Sequence, residues 1–299
     1  MIQYDPHQWL ATFFKVRGSL VKEIFLRVTL CGVWSVAVVA VHKFVHPVGT
    51  STVLHGLLGV AIGMLLVFRT TSSYERFWEG RKLWGGMTNT CRNLIRGARI
   101  HFEKDPELLA RIARWTAQFP WATMKELRSI DGLGPRAEEL PKDKVKKVSD
   151  AQHTPLAITL EMSHCLMEAK ARGLISDIIY TSLDQNIQLL IDNLGGCERI
   201  RKTPMPFAYA VHLRRALVLY CFTLPFAIVD AYGWRTVLDV LLISYVFFGI
   251  EEIGVEIEGP FGTDDNDLPL EDICTTIQRN LYDLAGIEHM EREALPKGG

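Results

Sequence analysis

Neither sign of charge dominates this chain. Its 33 lysines and arginines stand against 34 aspartates and glutamates, a formal net charge of −1. It therefore has neither the basic footprint that grips nucleic acid nor an acidic tail. The six cysteines, Cys31, Cys91, Cys165, Cys197, Cys221 and Cys274, form no CxxC pair. That spacing suggests neither a disulfide framework nor a structural zinc site. GxGxxG, P-loop, HExxH and nucleophile-elbow motifs are all missing. Glu161-Met162-Ser163-His164 has the ExxH spacing of di-iron helical proteins, but the second ExxH and the two further carboxylates are lacking. It reads as part of a surface helix, and the chain is not expected to be an enzyme. Met1 to Trp9 is polar, and no small-residue cleavage pattern follows the first apolar run, so no cleavable signal peptide is expected.

What is present is apolar and gathered into runs. Hydrophobic residues make up 48% of the chain. They concentrate from about Ile24 to Val41, Ser51 to Phe68, Ala216 to Val229 and Thr236 to Ile250. A helix of ~18 residues rises ~27 Å, close to the ~30 Å hydrocarbon core, so the first two runs can span a bilayer. The third and fourth are of a length that also suits a buried helix of a soluble protein. Their pairing around the tight link Asp230 to Arg235 favours the membrane. Lys15, Arg17, Lys22, Arg27, Arg69, Arg76, Arg81, Lys82, Arg199, Arg201, Lys202, Arg214 and Arg215 flank the outer ends of the hairpins, whereas the two links carry only Lys43 and Arg235. By the positive-inside tendency both termini and the whole middle are cytoplasmic.

The chain therefore divides into a cytosolic N-terminal segment (1–23), a first transmembrane hairpin (24–69), a helical cytosolic domain (70–209), a second hairpin (210–250) and a cytosolic C-terminal segment (251–299). The spacing predicts helices over Tyr74 to Phe102 and Leu108 to Leu127, with a break at Asp105-Pro106. An exposed, Gly/Pro-rich loop is expected at 131–150. Further helices are expected at Thr154 to Ala171 and at Ser176 to Leu194, the latter ended by Gly195-Gly196, and a tail helix from Leu268 to Ile287 is expected to be capped by Asp267. The fold class is all-α. Gly56, Gly59 and Gly63 allow close helix approach. Arg214 and Arg215 suit lipid headgroups, and Pro225 suits a kink. On the helix after Ser176 the core stripe is Ile179, Leu183, Ile187, Leu190 and Leu194. Ile178 lies off that stripe, either as an ordinary exposed apolar residue or as one buried against further copies of the chain.

Three segments are more specific. They are Phe68-Arg69-Thr70-Thr71-Ser72-Ser73-Tyr74-Glu75-Arg76-Phe77-Trp78-Glu79-Gly80-Arg81, then Gly195-Gly196-Cys197-Glu198-Arg199-Ile200 with Thr203-Pro204-Met205-Pro206-Phe207-Ala208-Tyr209, and Glu256-Ile257-Glu258-Gly259-Pro260-Phe261-Gly262 with Thr263 to Pro269. Together they resemble the bestrophin family in its bacterial branch. That resemblance implies an ion channel of the bacterial inner membrane, built as a homopentamer of four-span subunits around one pore. It places a narrow neck at Val60, Met64 and Phe68 and a cytosolic aperture at Ile178. The four-residue spacing puts the neck residues roughly on one helical line, although any three residues of an apolar span can be chosen four apart. Asp177 beside the aperture either forms a carboxylate ring or stabilises the first helical turn.

Asp264 and Asp267 match the two calcium-clasp positions of animal bestrophins. Two carboxylates are too few alone for calcium, and helix capping is the competing role, so no cofactor is required. Gly259 departs from the family pattern. The implied partners are lipid, four further copies of the chain and permeant monovalent ions, with no nucleic acid. Cations are expected over chloride, with an anion channel of the same family as the alternative. Glu251, Glu252, Glu256 and Glu258 would concentrate cations if they face the vestibule. A carrier is disfavoured because Asp239 is the one acidic residue well inside a span. A non-conducting scaffold is the remaining reading.

Overall fold

The computed structural model describes residues 7 and 18–287. The flanking Lys15 and Arg17, and the polar start that argues against a signal peptide, lie outside the described residues, as does 288–299. The described residues are helical and contain no strand. The helices are α1 (Val21–Phe44), α2 (Thr52–His101), α3 (Pro106–Leu127), α4 (Lys142–Ser149), α5 (Thr154–Ala171), α6 (Asp177–Lys202), α7 (Phe207–Tyr232), α8 (Thr236–Glu256) and α9 (Leu270–Ala285). They form two compact units. One holds the described residues up to Trp78 with Thr203–Asp267, and the other holds Glu79–Lys202 with the described residues from Leu268 onward.

In the first unit α1 packs along α8, and α7 lies against both. Ile24, Ile62, Leu66, Leu213, Leu217, Leu224, Val240 and Phe248 make the buried apolar core. The face of α2 turned to this core carries His55, Ile62, Leu66 and Arg69, a spacing of seven, four and three that keeps one side of a helix. Gly59 continues that face, since a Cβ there would come within 3.0 Å of the Tyr220 hydroxyl. Gly56 and Gly63 have nothing within 4 Å of an added Cβ, so within the chain only Gly59 serves the close approach expected of all three. Helices α1 and α2 are long and apolar enough to cross a membrane. Only 17% of the apolar stretch of α2 is buried in the chain, whereas a soluble protein's core helix would be mostly covered. Helices α7 and α8 run beyond the apolar runs that announce them, and α7 is continuous on both sides of Pro225.

In the second unit α3 packs against α5 and α9, and α5 against α4 and α6. Trp84, Phe102, Ile112, Phe119, Ile158, Met162, Leu190, Ile277 and Leu281 are fully or almost fully buried. Asp105 starts α3 by accepting the Leu108 N–H at 3.0 Å, with proline at the first helical position, where a missing N–H costs nothing.

Four expectations need correction. The stretch 131–150 is ordered by α4 and a 3-10 turn, Ala137–Glu139, with Leu140 and Val148 buried. Gln118 also clamps it, accepting from Gly134 N–H at 2.8 Å and donating to the Pro135 carbonyl at 2.7 Å. Helix α6 passes through Gly195-Gly196 to Lys202, and Gly196 packs closely on the Leu83 side chain, which an added Cβ would approach to 2.7 Å. Helix α9 begins after Pro269 without a side-chain cap, and Asp267 instead accepts the Asp264 N–H at 2.8 Å. Glu161 is 5% exposed rather than on the surface, and it accepts from Lys144 at 3.2 Å.

Candidate pore-lining site

Val60, Met64 and Phe68 lie on α2, on the side away from Ile62, Leu66 and Arg69, and are 70%, 60% and 59% exposed. An unbroken line of large apolar side chains in the open is costly in water. A ring of such lines around an axis would exclude water by dewetting. Ile178, in the first turn of α6, is 80% exposed, while Leu183, Ile187, Leu190 and Leu194 of the expected stripe are buried. Ser176 accepts the Ile179 N–H at 3.4 Å, which begins the helix. Asp177 pairs with Lys170 at 2.7 Å and by that bond pushes the lysine amine up from its usual pKa.

The glutamates after the fourth apolar run are engaged within the chain. Glu251, 3% exposed, accepts from Arg214 at 2.9 Å and lies 3.5 Å from Arg27, which pairs with Glu252 at 2.7 Å. Arg214, its side chain 57% exposed, is thus also tied to a buried carboxylate. Glu256 accepts from Asn266 at 2.8 Å. Asp264 is exposed and Asp267 buried, joined by the reciprocal backbone bond from Asp267 N–H to the Asp264 carbonyl at 3.0 Å.

Directly behind Phe68 the structure holds a lock that the sequence does not announce. Arg69, 2% exposed, donates to Glu258 Oε2 at 2.7 Å. The other oxygen of that carboxylate accepts the Met205 N–H at 2.8 Å. Arg76 Nε donates to the Glu258 carbonyl at 3.2 Å, and its guanidinium reaches the Thr203 carbonyl. Gly254 leaves room for the arginine, since a Cβ there would lie 2.9 Å from Arg69 Cγ. Burial pushes the Glu258 carboxyl up, but the Met205 N–H and the Arg69 guanidinium outweigh it and hold it below the usual carboxylate range.

The sequence profile of the Bacterial/Fungal Bestrophin protein family matches residues 1–283. The chain belongs to the bestrophin family. A voltage-dependent anion channel-forming protein of Nostoc sp. is 39% identical over 93% of this chain and 92% of its own length. A protein of the same description from Synechocystis sp. is 42% identical over 94% and 92%. The crystal structure of a bacterial bestrophin homologue from Klebsiella pneumoniae shares 34% identity, covers 89% of this chain and 100% of its own, and superposes with a TM-score of 0.83. Two bestrophin motifs, the one leaving the second apolar run and the one leaving the fourth, meet at the Arg69–Glu258 pair, and Met205 and Thr203 bring in the segment that enters the third. The sequence signal for this lock was the co-occurrence of the three motifs, which does not say which arginine meets which glutamate.

Proposed function

We propose that this chain is a subunit of an ion channel of the bacterial inner membrane. In this reading five copies surround one pore, each with four membrane helices and with both termini in the cytoplasm. The observation that carries it is the exposed apolar line Val60, Met64 and Phe68, on a span that its own chain leaves mostly uncovered. Copies around an axis would turn that line into the neck, and Ile178 into a second apolar ring. Exposed apolar side chains on α7 and α8, among them Leu219, Phe222, Leu238 and Leu242, support the second membrane hairpin. An enzyme reading finds no support in the sequence, which lacks the GxGxxG, P-loop, HExxH and nucleophile-elbow motifs. A carrier lacks its midplane acid, since Asp239 sits 3.8 Å from Arg235 in the first turn of α8.

Monovalent cations are the proposed permeant class, on the resemblance to the bacterial branch. The engaged glutamates supply no added reason for it. Anion conduction is the second reading, favoured by the description of the Nostoc and Synechocystis relatives as voltage-dependent anion channel-forming proteins. The acidic turn at Asp264 and Asp267 is read as structural. One of its two carboxylates already serves a backbone N–H, and calcium takes six or more oxygens. Reversal potential in planar bilayers under a KCl gradient decides the selectivity. A value near the potassium Nernst potential supports cations, one near the chloride potential supports the anion reading, and absence of current from intact pentamers defeats the channel.

A further inference from the structure

We propose that Glu126, His153 and Glu198 form a binding site for a divalent transition cation, with zinc the best fit. The three residues come from three separate segments: the last turn of α3, the residue capping α5 and the C-terminal half of α6. One ligand atom from each lies within 4.8 Å of the others. The site is half-buried, with the His153 side chain 29% and the Glu198 side chain 21% exposed.

The charges are what point to a cation. Two carboxylates converge here, and like charges at this range repel, more so away from bulk water. His153 Nε2 meets Glu198 Oε1 at 2.6 Å, and Lys202, 68% exposed, stands 3.7 Å from the same carboxylate. The Glu126 carboxylate has no hydrogen bond or ion pair among the described residues. Arg201 passes close by but spends its guanidinium on the Glu126 main-chain carbonyl and the Ser129 hydroxyl. A carboxylate left in this way beside a second carboxylate and an imidazole makes a donor set that suits a cation.

The chemistry of the donors selects the ion. An imidazole nitrogen favours zinc and its transition-metal neighbours over calcium and magnesium, which take oxygens. Ligand bonds of ~2.0–2.2 Å in a tetrahedral shell put donor atoms ~3.3 Å apart, which half-exposed side chains reach by torsion, and a fourth position stays open to water. The Leu156 N–H donates to His153 Nδ1 at 3.3 Å, so in the metal-free chain the ring proton sits on Nε2. Metal at Nε2 moves that proton to Nδ1 and gives up this long capping bond. A bound ion would staple α3, α5 and α6 together, in line with the way structural metals add to folding.

The test is calorimetric titration of zinc chloride into untagged, chelator-stripped, full-length protein in detergent, with thermal unfolding measured alongside. One zinc per chain, a rise in the unfolding midpoint with zinc, and an affinity at least about tenfold weaker in Glu126→Gln are expected. Glu126→Gln is the decisive variant, because that carboxylate supports nothing in the metal-free fold. His153→Asn, which keeps a capping acceptor, should also lose zinc. No zinc uptake by the wild type, wild-type affinity in Glu126→Gln, or calcium bound as tightly as zinc would each overturn the proposal.

Discussion

At the scale of single residues, the proposed neck and aperture rest on apolar side chains in the open, and each can be questioned alone. A cysteine in place of Met64 should make the current sensitive to a thiol reagent, and inertness beside a verified reactive control would remove it from the neck. Ile178→Ala should raise single-channel conductance or change selectivity, and unchanged currents would mean that its exposure has no part in the pore. Arg69 and Glu258 make a different prediction. Breaking a buried ion pair on one side leaves the other charge uncompensated, so Glu258→Gln should destabilise by roughly 3 kcal/mol at neutral pH. The Glu258 pKa is lowered in the fold from its ordinary value of 4.5. Its ionisation therefore contributes stability that is fully present above about that pH and is lost as pH falls through the lower folded value. The gap in unfolding midpoint between wild type and Glu258→Gln should stay constant above about pH 4.5 and narrow below it; a gap that widens with acid would refute the assignment.

At the scale of elements, much was legible because helices carry their own signals. The range Thr154 to Ala171 is the helix α5, and the Asp105-Pro106 break is the cap of α3. What stayed hidden depended on partners distant in sequence. Gly195-Gly196 reads locally as a stop, since glycine commonly ends helices, yet Leu83, more than a hundred residues earlier, turns Gly196 into a packing position. The two glycines should consequently respond with opposite sign. Gly196→Val, forced against Leu83, should cost roughly 2 kcal/mol or more. Gly195→Ala, with nothing within 4 Å, should be neutral or stabilise by up to about 1 kcal/mol. Chemical denaturation of the two variants distinguishes them. The 131–150 stretch escaped for the same reason, since its polar composition conceals two anchors, Leu140 and Val148, and the Gln118 clamp.

At the scale of the whole molecule, the uncovered apolar faces of α2, α7 and α8 need company. In detergent the particle should weigh five times the 33.8 kDa chain once bound detergent is subtracted. Scattering-derived mass checks this, and a monomer would leave the apolar line without an axis. The candidate pore residues were legible only through the family resemblance. In a span that is apolar on every side, periodicity cannot say which side packs inward, and in the structure the side turned to the chain's own core is the one that carries Arg69, the first charged residue after the span. A smooth apolar helix in oil has no preferred compass bearing, and each residue step turns the bearing by ~100°. Arg69, held to Glu258, pins that bearing at the end of the span, alongside the packed face of Ile62 and Leu66. Phe68 is a single step from that pin, so in the proposed ring of identical subunits the opening would be dimensioned by an angle held at its edge, and the same angle would be copied into every subunit.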